Sequence, residues 1–466
     1  MGGNTGASLV TVSLDVLFWV RGLRPPQCAC IMGSDGAQLA GAHEWAYRGE
    51  GNCNLVVGLQ GARQILRIRK TEKPQSLLGW ILVLLTDLIE WCSGKACGDE
   101  ARDLAFYCQV MRPLIGAHYT SEARMVALSR PQLQLILEGV RQRRPDHRRH
   151  KTLQLGRAAL FSDFAFLPPR FDHLDFIGDT FAVELKPKQG WRPPKERLAL
   201  PQCLYCMHQL LKLQTGRVQG RTDYCPEELF SGDPGRMRRA LRHLLAAPQN
   251  NLKIFRNGAQ CFDDRRRSLS VLQELFQSAA DPLELADEFC ALLQRCLLLD
   301  LSGTGEGQCP HCPPTHLPPG CVLGRILSAQ QLDQEGTHST YKKLCKGGQS
   351  GNFDYVDRVL GALAAQAQPC MRCALGRIAR QCALDLLFAP YLVAAVAKDC
   401  SLMVTLRRVP HSDAELQGRT LGTPYGAFVV NVGVFDLYPK PMDTILKHQR
   451  RNREIFKALK RPQVLN

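Results

Sequence analysis

Two aspartates open the chemistry of this chain. Asp399, in AKDCSLMV, and Asp436, in VFDLYPK, each stand at the border of an apolar, strand-like run. A carboxylate that takes a hydroxyl proton and a second that holds metal near phosphates are what phosphoryl transfer needs. A turn or cap is the commoner use of a lone Asp at such a place. Upstream, YRGEGNCNLVVGL sets Gly49, Gly51 and Asn54 before a β-branched run, and a second strand-like run, QILRIRK, follows. A dinucleotide fingerprint would open a helix here. Strand, glycine turn, strand and then a cation, Arg67, instead form an arrangement that brings backbone N–H groups and a positive charge to phosphates. A plain hairpin with a surface arginine fits the same residues. In AVELKPKQG, Glu184, Lys186 and Lys188 alternate. In a strand they would share one face, roughly 7 Å apart at each step; three solvated charges are the plain alternative. Asn250 and Asn251, after Pro248, can donate from a turn or make an ordinary Asx turn. Lys212 can reach an anion from a helix or lie on its solvated face.

Thiols form a second group. Cys203 and Cys206 in CLYC, with Cys225 in YCPEE, suit zinc if a fourth ligand arrives in space, and His208 is the nearest candidate. Cys309, Cys312 and His316 in CPHCPPTH are a rival set. The first set is narrowly favoured because the second lies in a Gly/Pro-rich loop; free cysteines account for either.

The elements that must position these residues can be read in outline. The chain has 466 residues and a net charge of +16 from 59 basic and 43 acidic side chains. That length supports two or three compact parts. That charge implies an anionic partner: nucleic acid, a membrane surface or a polyphosphorylated small molecule. The run at 8–20 carries Asp15 and no basic leader precedes it, so no secretory signal is expected. The apolar run at 77–85 is too short for a bilayer and reads as a buried helix. Twenty cysteines in such a chain point to a reducing compartment. Residues 1–42 lack periodicity and read as a poorly ordered extension. Strands are expected at 54–59, 64–70, 159–169 with its connector, and through the segment that carries Glu184. Helical patterns dominate 77–142 and 203–247, where Met237, Leu241, Leu244 and Leu245 share a face. The runs 399–409 and 427–437 alternate as an antiparallel pair. Residues 302–320 read as a Gly/Pro-rich surface loop. The end is a basic amphipathic helix with Lys447, Arg450, Arg451, Arg453, Lys457, Lys460 and Arg461.

YRGEGNCNLV (47–56), ELKPK (184–188), MHQLLK (207–212), PQNN (248–251), AKDCSLM (397–403) and DLYPKP (436–441) stand in one order along the chain. Together they resemble the inositol-pentakisphosphate 2-kinase family over about 43–441. The resemblance implies an α+β, two-lobed kinase-like fold. A smaller N-lobe, 43–163, carries the glycine turn on a β-sheet, and a larger C-lobe, 164–466, carries an inositol-phosphate-binding insertion. It implies transfer of the ATP γ-phosphate to the axial 2-hydroxyl of inositol pentakisphosphate. Under it, Gly49, Gly51 and Asn54 cover the nucleotide phosphates, Arg67 is the nucleotide-side cation, Asp163 meets adenine and Glu184 holds the ribose. Lys186 bridges ATP phosphates and the reacting hydroxyl. Arg148 (with Arg149 as the register alternative), Lys188, Lys212, Asn250, Asn251 and Lys440 bind substrate phosphates. Asp399 is the base and, with Asp436, a Mg2+ ligand; a structural zinc at Cys203, Cys206 and Cys225 is also implied.

The chain departs from the family pattern in three places. Residues 1–42 have no counterpart, 71–140 match poorly, and the end after Lys440 lacks the family's further basic and aromatic positions, for which His448 or Lys447 can substitute. The partners expected are ATP and inositol pentakisphosphate, with no membrane insertion and no requirement for nucleic acid, in a monomer that is nuclear and cytoplasmic. The contrasting reading is a catalytically impaired basic scaffold that binds inositol phosphates or nucleic acid.

Overall fold

A computed structural model describes residues 45–459, apart from 60, 73–98, 155, 195, 197–201, 303–308, 313–314, 347–354, 365–369, 381–383 and 411–417. The expectations for 1–42, for a buried helix at 77–85 and for Lys460 and Arg461 lie outside the described residues, as does part of the loop expected at 302–320.

The architecture is mixed α and β, with two six-stranded sheets in which every pair is antiparallel. The first sheet contains β1 (Trp45–Glu50), β2 (Asn54–Leu59), β3 (Gln64–Glu72), β4 (Arg124–Leu128), β5 (Lys151–Leu153) and β6 (Gly156–Ser162). Their order is β1-β2-β3-β6-β4, with β5 also paired to β3. Leu55, Val57 and Leu59 alternate along β2 and are buried, and Leu55 and Val57 stand opposite Ile68 and Leu66 of β3. A helix, Arg130–Val140, covers this face with Leu133, Ile136 and Val140. Its start is fixed by a capping box between Ser129 and Gln132.

The second sheet contains β7 (Ile177–Leu185), β8 (Leu252–Arg256), β9 (Ala259–Phe262), β10 (Ser401–Val409), β11 (Thr420–Thr423) and β12 (Gly426–Phe435). Their order is β11-β12-β10-β7-β8-β9. The expected antiparallel pair is β10 with β12, in register from Ser401↔Phe435 to Val409↔Ala427. Both are buried along most of their length, because SLMVTL and FVVNVGV carry apolar or small residues on both faces. The helix Ala389–Ala397 is buried almost all round and delivers the chain to Asp399. Met237, Leu241, Leu244 and Leu245 are buried along the helix Pro234–Ala246, as their spacing predicts.

Two expectations are corrected here. The segment 124–128 is a strand, not part of a helical stretch: RMVAL pairs with β6. Glu184, Lys186 and Lys188 do not share a strand face. Strand β7 ends at Leu185, and the ladder survives one more bond, Lys186 N–H to Asn251 O at 2.8 Å. Pro187 then has no N–H to donate, and Lys188 turns into the left-handed region at φ 62°.

Candidate functional site

The pairing Ser401↔Phe435 brings the two aspartates to one end of the second sheet. Asp399 closes the helix before β10, its N–H bonding Val396 O at 3.0 Å. Asp436 follows β12 with φ 63°, and its carboxylate accepts from Ser401 Oγ at 2.9 Å. Two ammonium groups clamp Asp399: Lys440 Nζ at 2.9 Å and Lys188 Nζ at 3.3 Å. Desolvation opposes ionisation of Asp399, but Lys440 and Lys188 outweigh it and hold the carboxyl down at about 2.

The ELKPK residues meet different partners. Glu184 lies between Lys253, at 3.0 Å, and Lys186, at 3.9 Å. Lys188 is fixed through its backbone by Gln330, whose amide is fully used. Gln330 Nε2 donates to Lys188 O (2.9 Å) and Ala397 O (3.1 Å), and its Oε1 accepts from Gly190 N–H (2.8 Å) and Trp191 N–H (3.0 Å). Gln330 has no exposed surface. One side chain thus joins the backbone of Lys188 to that of Ala397, two residues before Asp399.

In the first sheet the glycine turn links β1 to β2, with Gly51 N–H bonded to Asn54 O at 2.9 Å. The Asn54 side-chain oxygen, oriented toward its donors, accepts from the Arg67 guanidinium at 2.7 and 3.2 Å. The same guanidinium stacks on the Tyr438 ring, 3.2 Å from its centroid. Arg67 is therefore held beside the segment that follows Asp436. Glu50, inside the turn motif, is buried between Arg144 and Lys70, each at 2.8 Å. Burial opposes its ionisation, and hydrogen bonds from Arg144 and Lys70 bring its pKa below the ordinary value. Arg144 also donates to Arg148 O, at 3.1 Å, so the triad ties the Arg148 segment to the turn. Arg149 bonds Asp146 and the carbonyls of Arg144 and Gln142 instead. Asp163 is buried, with Arg48 at 2.9 Å and Ala165 N–H at 3.0 Å on its carboxylate.

Asn251 is buried, closes the PQNN turn by donating to Pro248 O at 2.8 Å, and bonds the Tyr205 hydroxyl at 2.8 Å; Asn250 is exposed. Lys212 lies near the Tyr205 ring on the helix Leu204–Gln214. Burial lowers its pKa, and Lys188, Arg217 and Arg451 add to the effect, so these cations share one field. His208, one turn away, is pushed down to about 4 by burial and by Lys212, Arg451 and Arg217. His448 is pushed down to about 3 by burial, and its Nδ1 lies 2.8 Å from the Tyr391 hydroxyl. Lys447 pairs with Asp443 on its own helix. Lys253, Gln330 and the Glu50–Arg144 pair are not signalled by the sequence; each acts through a partner far along the chain.

Cys203, Cys206 and Cys225 come together, with sulfurs 3.0 Å (Cys203–Cys206) and 3.7 Å (Cys203–Cys225) apart, and His208 is not among them. The rival set differs from expectation. His316 is not in it; its Nε2 meets Phe230 O at 2.6 Å. Cys309 and Cys312 are instead joined by Cys370 and Cys373. Among the described residues no helix is long and apolar enough to cross a membrane.

A family model described as inositol-pentakisphosphate 2-kinase matches residues 47–454. The chain is 28% identical over 462 residues to the inositol-pentakisphosphate 2-kinase of Danio rerio, covering 86% of this chain and 90% of that protein. It is 25% identical over 470 residues to the Arabidopsis thaliana protein of the same name, covering 91% and 94%. A Drosophila melanogaster relative, also so named, is 29% identical over 338 residues, 55% of this chain and 54% of that protein.

Proposed function

Because the chain belongs to the inositol-pentakisphosphate 2-kinase family and is a kinase, we propose that it transfers the γ-phosphate of ATP to the axial 2-hydroxyl of inositol 1,3,4,5,6-pentakisphosphate, giving inositol hexakisphosphate. The observation that carries the reading is Asp399, gripped by Lys188 and Lys440 at the sheet end where Asp436 also stands. Asp399 takes the hydroxyl proton as that oxygen attacks the γ-phosphorus and ADP leaves. A carboxyl held at about 2 is a weak base. Substrate phosphates compete for both ammonium groups, and as they draw them away the proton affinity of Asp399 rises. Base strength is thereby coupled to the presence of the polyanion.

Further roles are proposed with it, as the family resemblance implies. Gly49, Gly51 and Asn54 cover the ATP phosphates and Arg67 neutralises them. Lys186 bridges them to the acceptor, Glu184 takes the ribose, and Asp163 lies toward adenine. Lys188, Lys212, Lys440, Asn250, Asn251 and Arg148 bind substrate phosphates. Cations arriving from several elements suit a ring of separated charges, and such transfer is largely positioning and neutralisation. The carboxylates of Asp399 and Asp436 are hard oxygen donors that fit Mg2+, which would supply charge neutralisation at the phosphates. The three thiols at Cys203, Cys206 and Cys225 fit zinc as donors.

The boundary between a smaller lobe (43–163) and a larger one (164–466) is supported by the chain passing from the first sheet to the second between Ser162 and Ile177. A monomer, nuclear and cytoplasmic, is proposed with it; sedimentation and fractionation test both. The main test is transfer of labelled γ-phosphate from Mg-ATP to inositol pentakisphosphate, with Asp399→Asn beside wild type. Hexakisphosphate is expected from wild type alone, with substrate binding kept in the variant. Label on any hydroxyl other than C2 overturns the substrate assignment. Tight binding without product overturns the reaction in favour of a scaffold.

A further inference from the structure

Arg48 stands in β1 at a bulge: Tyr47 pairs with Val57 and Gly49 with Val56, and Arg48 is the extra residue between them. Its side chain leaves the strand that carries the glycine turn and passes over Gly58 of β2. Nε donates to Asp163, at 2.9 Å, in the segment that leads from the first sheet to the second. Nη1 donates to Gly258 O, at 2.9 Å, in the second sheet itself. The guanidinium also lies 5.6 Å from the centroid of the Phe166 ring. One planar fork thus joins three parts of the chain, which the point charge of a lysine does not do.

The surroundings are shaped for that fork. A Cβ at Gly58 would meet Arg48 Nε at 2.9 Å, and one at Gly258 would lie 3.0 Å from Nη2 and 2.8 Å from the Phe166 ring. Two glycines on separate sheets therefore leave room for one guanidinium. Asn257 and Gly258 form the two-residue turn between β8 and β9, with φ 48° and 77°, as an Asn-Gly hairpin requires. Asn257 ties this turn to β7. Its N–H donates to Thr180 O at 2.8 Å, its Oδ1 accepts from Thr180 N–H at 3.0 Å, and its Nδ2 donates to Asp179 at 2.7 Å. Asp163 is held as firmly: its N–H bonds Arg63 O at 2.8 Å, and its Oδ1 accepts from Ala165 N–H at 3.0 Å. The pair is no loose surface contact, for the Arg48 side chain is 17% exposed and that of Asp163 7%. Thr180 and Glu184 lie on one face of β7, four residues and about 13 Å apart. With ribose at Glu184, the base extends toward Asp163 and the Asn257 turn, and Arg48 closes the slot there.

We infer that Arg48 is a positioning residue for the nucleotide: by bridging β1 to Asp163 and to the Asn257–Gly258 turn, it sets the width of the adenine slot and aims the Asp163 carboxylate at the base. The inference rests on the reading that ATP binds with its adenine toward Asp163. An aimed carboxylate accepts from the amino group of adenine and repels the carbonyl oxygen that guanine carries at the same ring position. The acceptor-side cations Lys188, Lys212 and Lys440 belong to other segments, so affinity for the inositol phosphate is independent of Arg48.

The test is calorimetric titration of the full chain with three ligands in turn: the β,γ-imido analogues of ATP and of GTP, and inositol pentakisphosphate. Arg48→Met is expected to weaken the ATP analogue about tenfold or more, to shrink its advantage over the GTP analogue, and to leave inositol pentakisphosphate within about twofold. That variant strands a buried carboxylate and can unfold the chain. Gly58→Ala keeps both charges, sits in β2 without a positive φ, and displaces the guanidinium with its methyl group. It is expected to reproduce the loss. The double variant distinguishes displacement of Arg48 from a clash of the new methyl with the base: it is expected to bind no more weakly than Arg48→Met, because both changes remove one contact. Additive losses overturn the inference. So does equal weakening of all three ligands, the mark of a general loss of structure. Wild type that binds the ATP analogue no better than Arg48→Met and Gly58→Ala do overturns the inference alone. Wild type that binds neither nucleotide removes the ATP reading and the inference with it.

Discussion

Lys188 carries its ammonium to Asp399 from a left-handed backbone, φ 62°, which costs an L-residue about 1–2 kcal/mol. Lys188→Ala and Lys188→Gly both delete the charge, but only glycine relieves the backbone. Part of the relief is offset by the greater freedom of glycine in the unfolded chain. Lys188→Gly is expected to be more stable than Lys188→Ala by about 0.5–1 kcal/mol in urea unfolding, with both losing inositol-phosphate affinity. Equal midpoints would mean that the backbone there is not strained.

Glu50 makes a different residue-scale case. Its side chain is fully buried, as is that of Lys70 to 1% and of Arg144 to 6%. Arg144→Met leaves a buried carboxylate with one partner and is expected to cost about 3–5 kcal/mol. Because the carboxyl pKa of Glu50 is lowered on folding, its contribution is present above the ordinary value of 4.5 and is lost as pH falls through the lower folded value. Glu50→Gln should therefore flatten the acid limb of stability below about pH 5, measured as unfolding free energy against pH. An unchanged limb would place the acid sensitivity elsewhere.

At the scale of elements, Gln330 is the joint between two segments that bring separate groups to the site. Gln330→Leu leaves the N–H groups of Gly190 and Trp191 and the carbonyls of Lys188 and Ala397 without that partner. Each buried loss costs about 1–3 kcal/mol. The expected outcome is a loss of about 3 kcal/mol or more in stability, and a fall in turnover larger than any change in KM for ATP. Turnover that survives intact would show that Lys188 and Asp399 hold their places without it.

The same contrast explains what was legible in the sequence. Strands β10 and β12 announce themselves by long, nearly continuous apolar runs, buried on both faces rather than alternating, and Asp399 and Asp436 are visible because they stand at the borders of those runs. The glycine turn and β2 and β3 are equally plain. Strand β4 is five residues long and β5 three, too short for a period to register against neighbouring helical patterns. The bend at Pro187 was present as a residue but not as a geometry: the alternation of charges in ELKPK continues past the point where the ladder stops. Gln330, the Glu50–Arg144 pair at 94 positions and the four-cysteine set depend on contacts that no local pattern carries.

For the whole molecule, a net charge of +16 is useful only where the cations are held against their own repulsion. Lys188 leaves β7, Lys440 follows β12, Lys212 sits on the helix Leu204–Gln214, and Arg451 belongs to the terminal helix Asp443–Leu459. The last two elements pack through a small cluster of their own, Met207 against Ile455 with Leu204 and Leu211 beside them, separate from the main core. Ile455 is 1% exposed, so Ile455→Ala should cost about 2–5 kcal/mol. Because the cluster is a satellite, the loss falls first on the helix that carries Lys212, Cys203's neighbours and Tyr205, the partner of Asn251. Hydrogen exchange is expected to quicken over 204–214 well before it does in β10, and KM for the inositol substrate to rise while KM for ATP holds. Exchange that quickens equally in β10 would show one cooperative unit, in which the terminal helix supports the whole fold rather than the acceptor side of the site.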